Sequence, residues 1–348
     1  MLYSILKLSM ELYKKLVSKL INIIALLTIL IIVVFFWVIN HDKIWTPELE
    51  DPILEWNPYD LVLNNSDVPN EVKEGFLLLD SSSIYMGPLN KDPKLRYSGN
   101  NLSCTNCHLN GGTKSGAAPW FGIIDRFPQF SGRSNKVGTL VERINGCMER
   151  SMNGKAFPKN ASQMKKMIAY IEWLDYGIPK LNSKKISGYP SIEIPFKAVD
   201  KKVGEEIYLR ECVVCHGKNG EGILYQDSKK GYQYPPLWGN DTYNDGAGMN
   251  RVLTAAAFIK NNMPYLQASW ENPKLSDEEA YHVAGYINSF PRPSKKNKEM
   301  DYPDKKLKPI STPYGPWSDN FSSEQHKYGP YPPMIEYYKK TFGIKKSK

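Results

Sequence analysis

The sequence Cys104-Thr105-Asn106-Cys107-His108 decides the fold of this chain, together with its counterpart Cys212-Val213-Val214-Cys215-His216. In a Cys-x-x-Cys-His pentad both thiols form thioethers to a haem, and the histidine ligates the iron. The sequence has no further cluster of cysteine and histidine that would complete a zinc site. Neither pair has the strand–helix context of a thioredoxin-like motif. The two pentads therefore predict two covalently bound haem c groups, attached at Cys104, Cys107, Cys212 and Cys215.

Length and charge restrict the class of protein. The 348 residues are enough for two domains of ordinary size. The net charge of +9, from 45 Lys+Arg against 36 Asp+Glu, fits either ordinary solubility or the steering of a small anion. We expect no nucleic-acid partner, because the sequence contains no nucleic-acid-binding motif and haem attachment implies export.

The amino terminus predicts a membrane anchor. Leu20–Ile39 is apolar apart from two polar residues, and about 20 such residues span a bilayer. Lysines at positions 7, 14, 15 and 19 precede this run, so residues 1–19 should stay in the cytoplasm. A cleaved signal peptide is the alternative, but its apolar core would be shorter and would end in small residues. We therefore expect residues 20–39 to anchor the chain in a bacterial inner membrane, with the haem domains in the periplasm.

The order of elements around each pentad predicts the architecture. A helix precedes the pentad, and a Pro/Gly-rich loop, a further helix and a closing helix follow, which is the order of a class I cytochrome c. Because this order occurs twice, we predict a mainly α fold of two tandem domains. The predicted segments are an arm over 40–65, the first cytochrome c domain over 66–180, a linker over 181–200, the second domain over 201–293 and a Pro/Tyr/Lys-rich tail over 294–348.

Helix positions follow from apolar periodicity and capping residues. The predicted helices cover residues 140–152, 162–176, 202–212 and 251–260, together with one that Ser276 opens and that ends near residue 289. Ser276-Asp277-Glu278-Glu279 is a capping box. In the tail we expect the first part to pack on the domains and the end to be loose.

The two irons have His108 and His216 as proximal ligands, and the distal ligands decide the chemistry. For the second haem, Met263 lies in Asn262-Met263-Pro264, where the proline ends a helix and leaves the thioether on a loop. A thioether ligand raises the reduction potential and suits electron transfer. Met249 is the alternative ligand, and Met263 would then pack in the core as most methionines do.

For the first haem, the corresponding position holds Cys147, within Arg143-Ile144-Asn145-Gly146-Cys147-Met148-Glu149-Arg150-Ser151-Met152-Asn153-Gly154. A lone cysteine in an exported protein is a reactive thiol, an intermolecular bridge, an inert buried group or a ligand. On a continuous helix Arg143, Arg150 and Ser151 share the side of Cys147, and nearby cations favour a thiolate. Met148 and Met152 are the alternative ligands.

These segments, with Pro235-Pro236-Leu237-Trp238-Gly239 and Gly246-Ala247-Gly248-Met249, resemble the dihaem c-type cytochrome thiosulfate dehydrogenase / tetrathionate reductase family. The resemblance covers about residues 70–290. It implies an enzyme that interconverts thiosulfate and tetrathionate, with Cys147 as the distal ligand of a catalytic first haem. It also implies an anion pocket, whose matching positions are Arg133, Arg143 and Ser151. The electron partner would be an external c-type cytochrome or a membrane electron donor or acceptor.

Three alternatives remain open from the sequence. Arg133 and Arg143 would serve equally well as partners of haem propionates. A membrane-tethered dihaem electron carrier without its own substrate would have no thiolate ligand. A dihaem peroxidase would need no pocket for dianions, and the cluster of Arg143, Cys147, Arg150 and Ser151 argues against it.

Overall fold

The structure is a computed structural model that describes residues 2–40, 59–176 and 188–346. The chain divides into two compact units, Met1–Trp56 and Asn57–Lys348. In the first unit the described residues form one helix, α1, over Leu2–Asn40. Its segment Met10–Trp37 is long and apolar enough to cross a membrane, a property that a retained anchor and a signal sequence share.

The second unit is mainly helical. Its helices are α2 (Asn70–Asp80), α3 (Ser82–Met86), α4 (Leu109–Gly112), α5 (Leu140–Met148), α6 (Ser162–Tyr176), α7 (Lys201–Glu211), α8 (Val213–His216), α9 (Val252–Asn262), α10 (Asp277–Ile287), α11 (Ser323–Tyr328) and α12 (Pro332–Phe342). Two short antiparallel hairpins accompany them, β1 (Gln129–Ser131) with β2 (Lys136–Gly138), and β3 (Ile223–Leu224) with β4 (Tyr232–Tyr234).

The first haem domain is built on the crossing of α2 and α6. Gly75 allows the two backbones to meet, because a Cβ atom there would lie 1.9 Å from the carbonyl oxygen of Lys166. Beside the crossing, the ring of Phe76 packs at 5.3 Å from that of Tyr170, and both side chains are fully buried. The predicted helix over 162–176 agrees with α6 at both ends.

The second domain repeats this design with α7 and α10. Here Gly204 lies at the contact, and an added Cβ would lie 2.3 Å from the carbonyl oxygen of His282. Ser276 accepts a hydrogen bond from the Glu279 amide, and the Glu279 carboxylate accepts one from the Ser276 amide, so the predicted capping box is present. The mainly α fold with two tandem cytochrome c-like domains is confirmed.

Polar contacts join the two domains within their common unit. The Asn100 side chain donates to the carbonyl of Ser151 in its own domain and to that of Thr242 in the second. From the second domain, the Asn244 amide donates to the carbonyl oxygen of Arg150. The loop after α5 is therefore held by both domains.

Two expectations from the sequence were wrong. The helix predicted over 140–152 ends at Met148, because the amides of Arg150 and Met152 both turn back to the carbonyl of Cys147 and Asn153 has a positive φ of 47°. The end of the tail is not loose as far as residue 346: Lys346 donates to the carbonyls of Lys306 and Lys308. Of the predicted arm over 40–65, residues 41–58 lie outside the described residues, as do residues 181–187 of the predicted linker over 181–200.

Candidate active site

The helix α5 carries the centre of the site. Thr139 accepts a hydrogen bond from the Glu142 amide and Glu142 bonds back to the Thr139 amide, which fixes the start of the helix. Arg143 and Cys147 then follow one turn apart, and Nη1 of the arginine donates to Sγ of the cysteine at 2.7 Å. The electrostatic interaction with Cys147 is the main cause that raises the pKa of Arg143.

The first pentad lies near Arg143, which acts electrostatically on His108. His108 holds its Nδ1 atom 2.7 Å from the carbonyl oxygen of Ala118, so Nε2 is the nitrogen left to ligate a metal. Burial lowers the pKa of His108 to about 4, and the imidazole is therefore neutral at pH 7, as a ligand must be.

Cys147 lies near the attachment thiols. Its electrostatic interaction contributes to the raised pKa of Cys104 and of Cys107, so the three thiols lie within electrostatic range of one another. Arg143 is exposed and Tyr189 is partly exposed, and both lie within electrostatic range of Cys147. The two thiols of the pentad, a neutral imidazole and the nearby thiol of Cys147 form a donor set that fits haem c.

The second pentad has the same proximal arrangement. Nδ1 of His216 lies 2.8 Å from the carbonyl oxygen of Pro235, which again leaves Nε2 for iron. Met263 and Met249 both pack against one apolar cluster, formed by Leu109, Ala117 and Phe258. The donor set fits a second haem c, and the choice between the two methionines stays a prediction.

The remaining pocket residues are arranged differently from the sequence expectation. Arg133 donates from Nη1 to Oδ2 of Asp301 at 2.5 Å, so a carboxylate of this chain is one of its partners. Arg150, expected beside Cys147 on a continuous helix, donates from Nη2 to Oδ1 of the same Asp301 at 2.7 Å. Ser151 follows the end of α5, and its carbonyl accepts from Asn100.

Sequence reasoning missed Asp301 and its neighbour Tyr314, whose hydroxyl donates to Oδ2 of Asp301 at 2.8 Å. Both belong to the segment predicted only as a tail, and Asp301 lies 168 positions from Arg133. No sequence pattern indicates this pairing, since a single aspartate in a Lys-rich segment has no distinguishing feature.

Comparison with known families matches both haem domains. Residues 96–179 match the SoxA/TsdA cytochrome c domain. Residues 199–287 match the family of the cbb3-type cytochrome c oxidase subunit III. With the two pentads and their donor sets, these matches establish two covalently bound haem c groups. Cytochrome c domains also indicate an extracytoplasmic location.

Sequence relatives and one solved structure identify the family of this chain more specifically than the domain matches do. The thiosulfate dehydrogenase of Psychrobacter arcticus is 41% identical over 208 residues, 59% of this chain and 61% of the relative. That of Stutzerimonas stutzeri is 41% identical over 57% of this chain and 62% of the relative. That of Allochromatium vinosum is 42% identical over 56% of this chain and 71% of the relative.

The thiosulfate dehydrogenase (TsdBA) structure from Marichromatium purpuratum matches with a TM-score of 0.57 and 35% identity, over 65% of this chain and 47% of that one. The matched region thus spans about three fifths of the first two curated relatives. The Allochromatium relative is matched over more than two thirds of its length, at well above 30% identity. The chain therefore belongs to the dihaem thiosulfate dehydrogenase family.

Proposed function

We propose that this protein is an oxidoreductase that interconverts thiosulfate and tetrathionate, in the balance 2 thiosulfate ⇌ tetrathionate + 2 electrons. The contact between Arg143 and Cys147, beside the first pentad, is the observation that carries the proposal. It joins a sulfur nucleophile to a guanidinium, the side chain best suited to sulfur oxyanions, next to a haem site. The relatives named thiosulfate dehydrogenase support the same reaction.

In this proposal His108 and Cys147 would hold the iron of the first haem, and His216 and Met263 would hold that of the second. The haems supply one-electron acceptors, two in all, which matches the two electrons of the reaction. Arg143, Arg133 and Ser151 bind the sulfonate oxygens. Their role is to bring together two dianions that repel each other.

The proposed chemistry passes through Cys147. Its thiolate and the outer sulfur of one thiosulfate form an S–S bond as two electrons leave, which gives a cysteine S-thiosulfonate. The outer sulfur of a second thiosulfate then attacks the sulfur bound to Sγ. The new S–S bond completes tetrathionate, the bond to Sγ breaks, and the thiolate of Cys147 is restored without any net proton transfer. Arg143, already hydrogen-bonded to Sγ, stabilises that thiolate as it leaves.

The proposed setting is the periplasmic face of a bacterial inner membrane, with α1 as a retained single-pass anchor. An external c-type cytochrome, or a donor or acceptor in the membrane, would exchange electrons with the Met263 haem. Electrons from the membrane would then drive the reduction of tetrathionate. The intact mass of the mature protein tests the anchor, which requires that residues 20–39 be present.

Assays in both directions with one electron mediator test the function. The wild-type chain should oxidise thiosulfate or reduce tetrathionate, and Cys147→Gly should keep both haems and lose turnover. Met152→Leu is the matched control. Met152 is buried in the loop after α5, two residues beyond Arg150, and is an alternative ligand of the first haem. Turnover that survives in Cys147→Gly would contradict the chemistry through Cys147. A wild-type chain without turnover in either direction would leave the electron carrier as the better description.

A further inference from the structure

The C-terminal segment reaches the candidate active site through one carboxylate. Asp301 lies beyond both matched haem domains, which end at residues 179 and 287. It is 8% exposed and accepts hydrogen bonds from Arg133, Arg150 and Tyr314. The amide of the next residue, Tyr302, donates to the carbonyl of Arg133 at 2.8 Å, so main chain and side chain both dock on this arginine.

The charges around Asp301 explain why a carboxylate is needed there. The electrostatic influence of Arg133 reaches Arg143 and Arg251, so several guanidiniums lie close together. Burial by itself would raise the pKa of the Asp301 carboxyl, but Arg133 and Arg150 outweigh burial and hold that pKa below its usual value. An anionic Asp301 therefore bridges two arginines that would otherwise repel each other.

The bonds to Asp301 also orient Arg133. All its hydrogen bonds within the described part of the chain leave from Nη1, to Asp301, to the carbonyl of Gly246 and to the Tyr314 hydroxyl. The guanidinium also packs 5.1 Å from the ring centre of Tyr302. Nε and Nη2 of Arg133 have no hydrogen-bond acceptor within the described part of the chain, and the side chain is 24% exposed. These two nitrogens form one edge of the guanidinium, the edge that binds an oxyanion through two parallel hydrogen bonds.

We propose that Asp301 is a positioning residue for the oxyanion pocket. From the C-terminal segment, its carboxylate holds Nη1 of Arg133 so that the Nε–Nη2 edge faces the substrate. Arg150, tied to the other carboxylate oxygen, completes the bridge. This inference rests on the proposed function. It adds that the C-terminal segment, outside the two haem domains, completes the substrate site. The ligand is a sulfur oxyanion, of which tetrathionate is the probe.

Equilibrium binding tests the inference without turnover. In the Cys147→Gly background, which lacks the thiolate that would react, calorimetry gives the Kd of tetrathionate with and without Asp301→Asn. Loss of the charged hydrogen bond from Arg133 to Asp301 releases the guanidinium from its orientation. The Kd should therefore rise by about 10- to 100-fold, although the pocket then carries more positive charge. Asp301→Glu, which keeps the charge, should recover part of the affinity. Glu299→Gln is the matched control, since it removes the same charge two residues away from an exposed side chain.

The outcomes separate this inference from the proposed function. If Cys147→Gly itself binds no tetrathionate, the proposed function fails. If it binds, and the Kd is unchanged in Asp301→Asn, the positioning role is overturned, whatever the variant does to thermal stability. Should Asp301→Asn not load both haems, Tyr314→Phe replaces it and decides by the same comparison. That variant removes one hydrogen bond from Asp301 and an acceptor from Arg133, with no change of charge.

Discussion

Arg143 and Cys147 are joined across one turn of α5 by a hydrogen bond of 2.7 Å from Nη1 to Sγ. The capping box at Thr139 starts the helix, and the turn back to the Cys147 carbonyl ends it immediately after the thiol. The contact therefore depends on a short helix that is fixed at both ends. It brings a permanent positive charge to a sulfur atom that also lies within electrostatic range of the attachment thiols of the first haem.

The first prediction concerns this arginine. Arg143→Gln removes the charge but keeps much of the side-chain length, and turnover should fall by roughly 10²- to 10³-fold, the usual effect of losing one donor to developing negative charge. Steady-state assays in the thiosulfate and tetrathionate directions measure it. Arg126→Gln is the control, because Arg126 is exposed and, within the described residues, its side chain hydrogen-bonds only to the carbonyl of Gly122. Equal activity in both variants would remove Arg143 from the site.

The second prediction distinguishes the two methionines near the second haem. Met263→Leu should abolish the methionine–iron charge-transfer band and lower the potential of that haem by part of the roughly 0.8 V that axial ligands span. Met249→Leu changes the same kind of side chain in the same cluster and should leave band and potential unchanged. A redox titration monitored by optical spectroscopy measures the band and the potential. Loss of the band in Met249→Leu but not in Met263→Leu would identify Met249 as the ligand.

The third prediction tests the helix crossings. Gly75→Ala and Gly204→Ala should each lower the free energy of unfolding by about 1–3 kcal/mol or more, because the new methyl would overlap a carbonyl oxygen of the crossing helix. Thermal unfolding of the holoprotein measures this. Gly146→Ala lies on α5, where the nearest atom is 3.9 Å away, and should not destabilise the chain. Neutral effects at Gly75 and Gly204 would contradict the close crossings.

The fourth prediction is a pH dependence in the C-terminal segment. His326 is 1% exposed, stacks on Trp317 with ring centres 4.1 Å apart and bonds to the carboxylate of Asp319. Burial lowers the pKa of His326 below its ordinary 6.5, although Asp319 opposes the shift. The unfolded chain therefore takes up the proton first, and this contribution to stability is intact above about pH 6.5 and is lost as the pH falls below it.

Thermal unfolding at pH 7 and pH 5 measures this effect, with the fluorescence of Trp317 as a local signal. His326→Gln cannot take up the proton, so its melting temperature should fall less between the two pH values than that of the wild type. A fall of equal size in both chains would show that His326 does not contribute.

Local patterns in the sequence were sufficient for most of the fold. The pentads, the capping box at Ser276 and the apolar period of α6 each concern residues within one element, and each was confirmed. The pairing of Arg143 with Cys147 was also accessible, since both lie on one helical turn. The geometry beyond Met148 was not accessible from the sequence, because the end of α5 depends on a turn whose backbone is held by residues of both domains.

The contacts of Asp301 were the least accessible part of the site. They join residues 151 and 168 positions apart, and they exist only because the C-terminal segment packs on the loop that carries Arg133. No local period or cap marks such a pair. The segment looked like a tail since its prolines and lysines break apolar periodicity, whereas Tyr331, Met334 and Tyr338 anchor it in the core of the second domain.

Low-temperature EPR of the oxidised protein tests the central claim most directly, because a thiolate on low-spin haem iron has a signature that histidine and methionine ligands do not produce. The wild-type chain should show that signature for one haem, and Cys147→Gly should lose it while keeping the signal of the second. A wild-type spectrum with no thiolate-ligated haem would contradict the account.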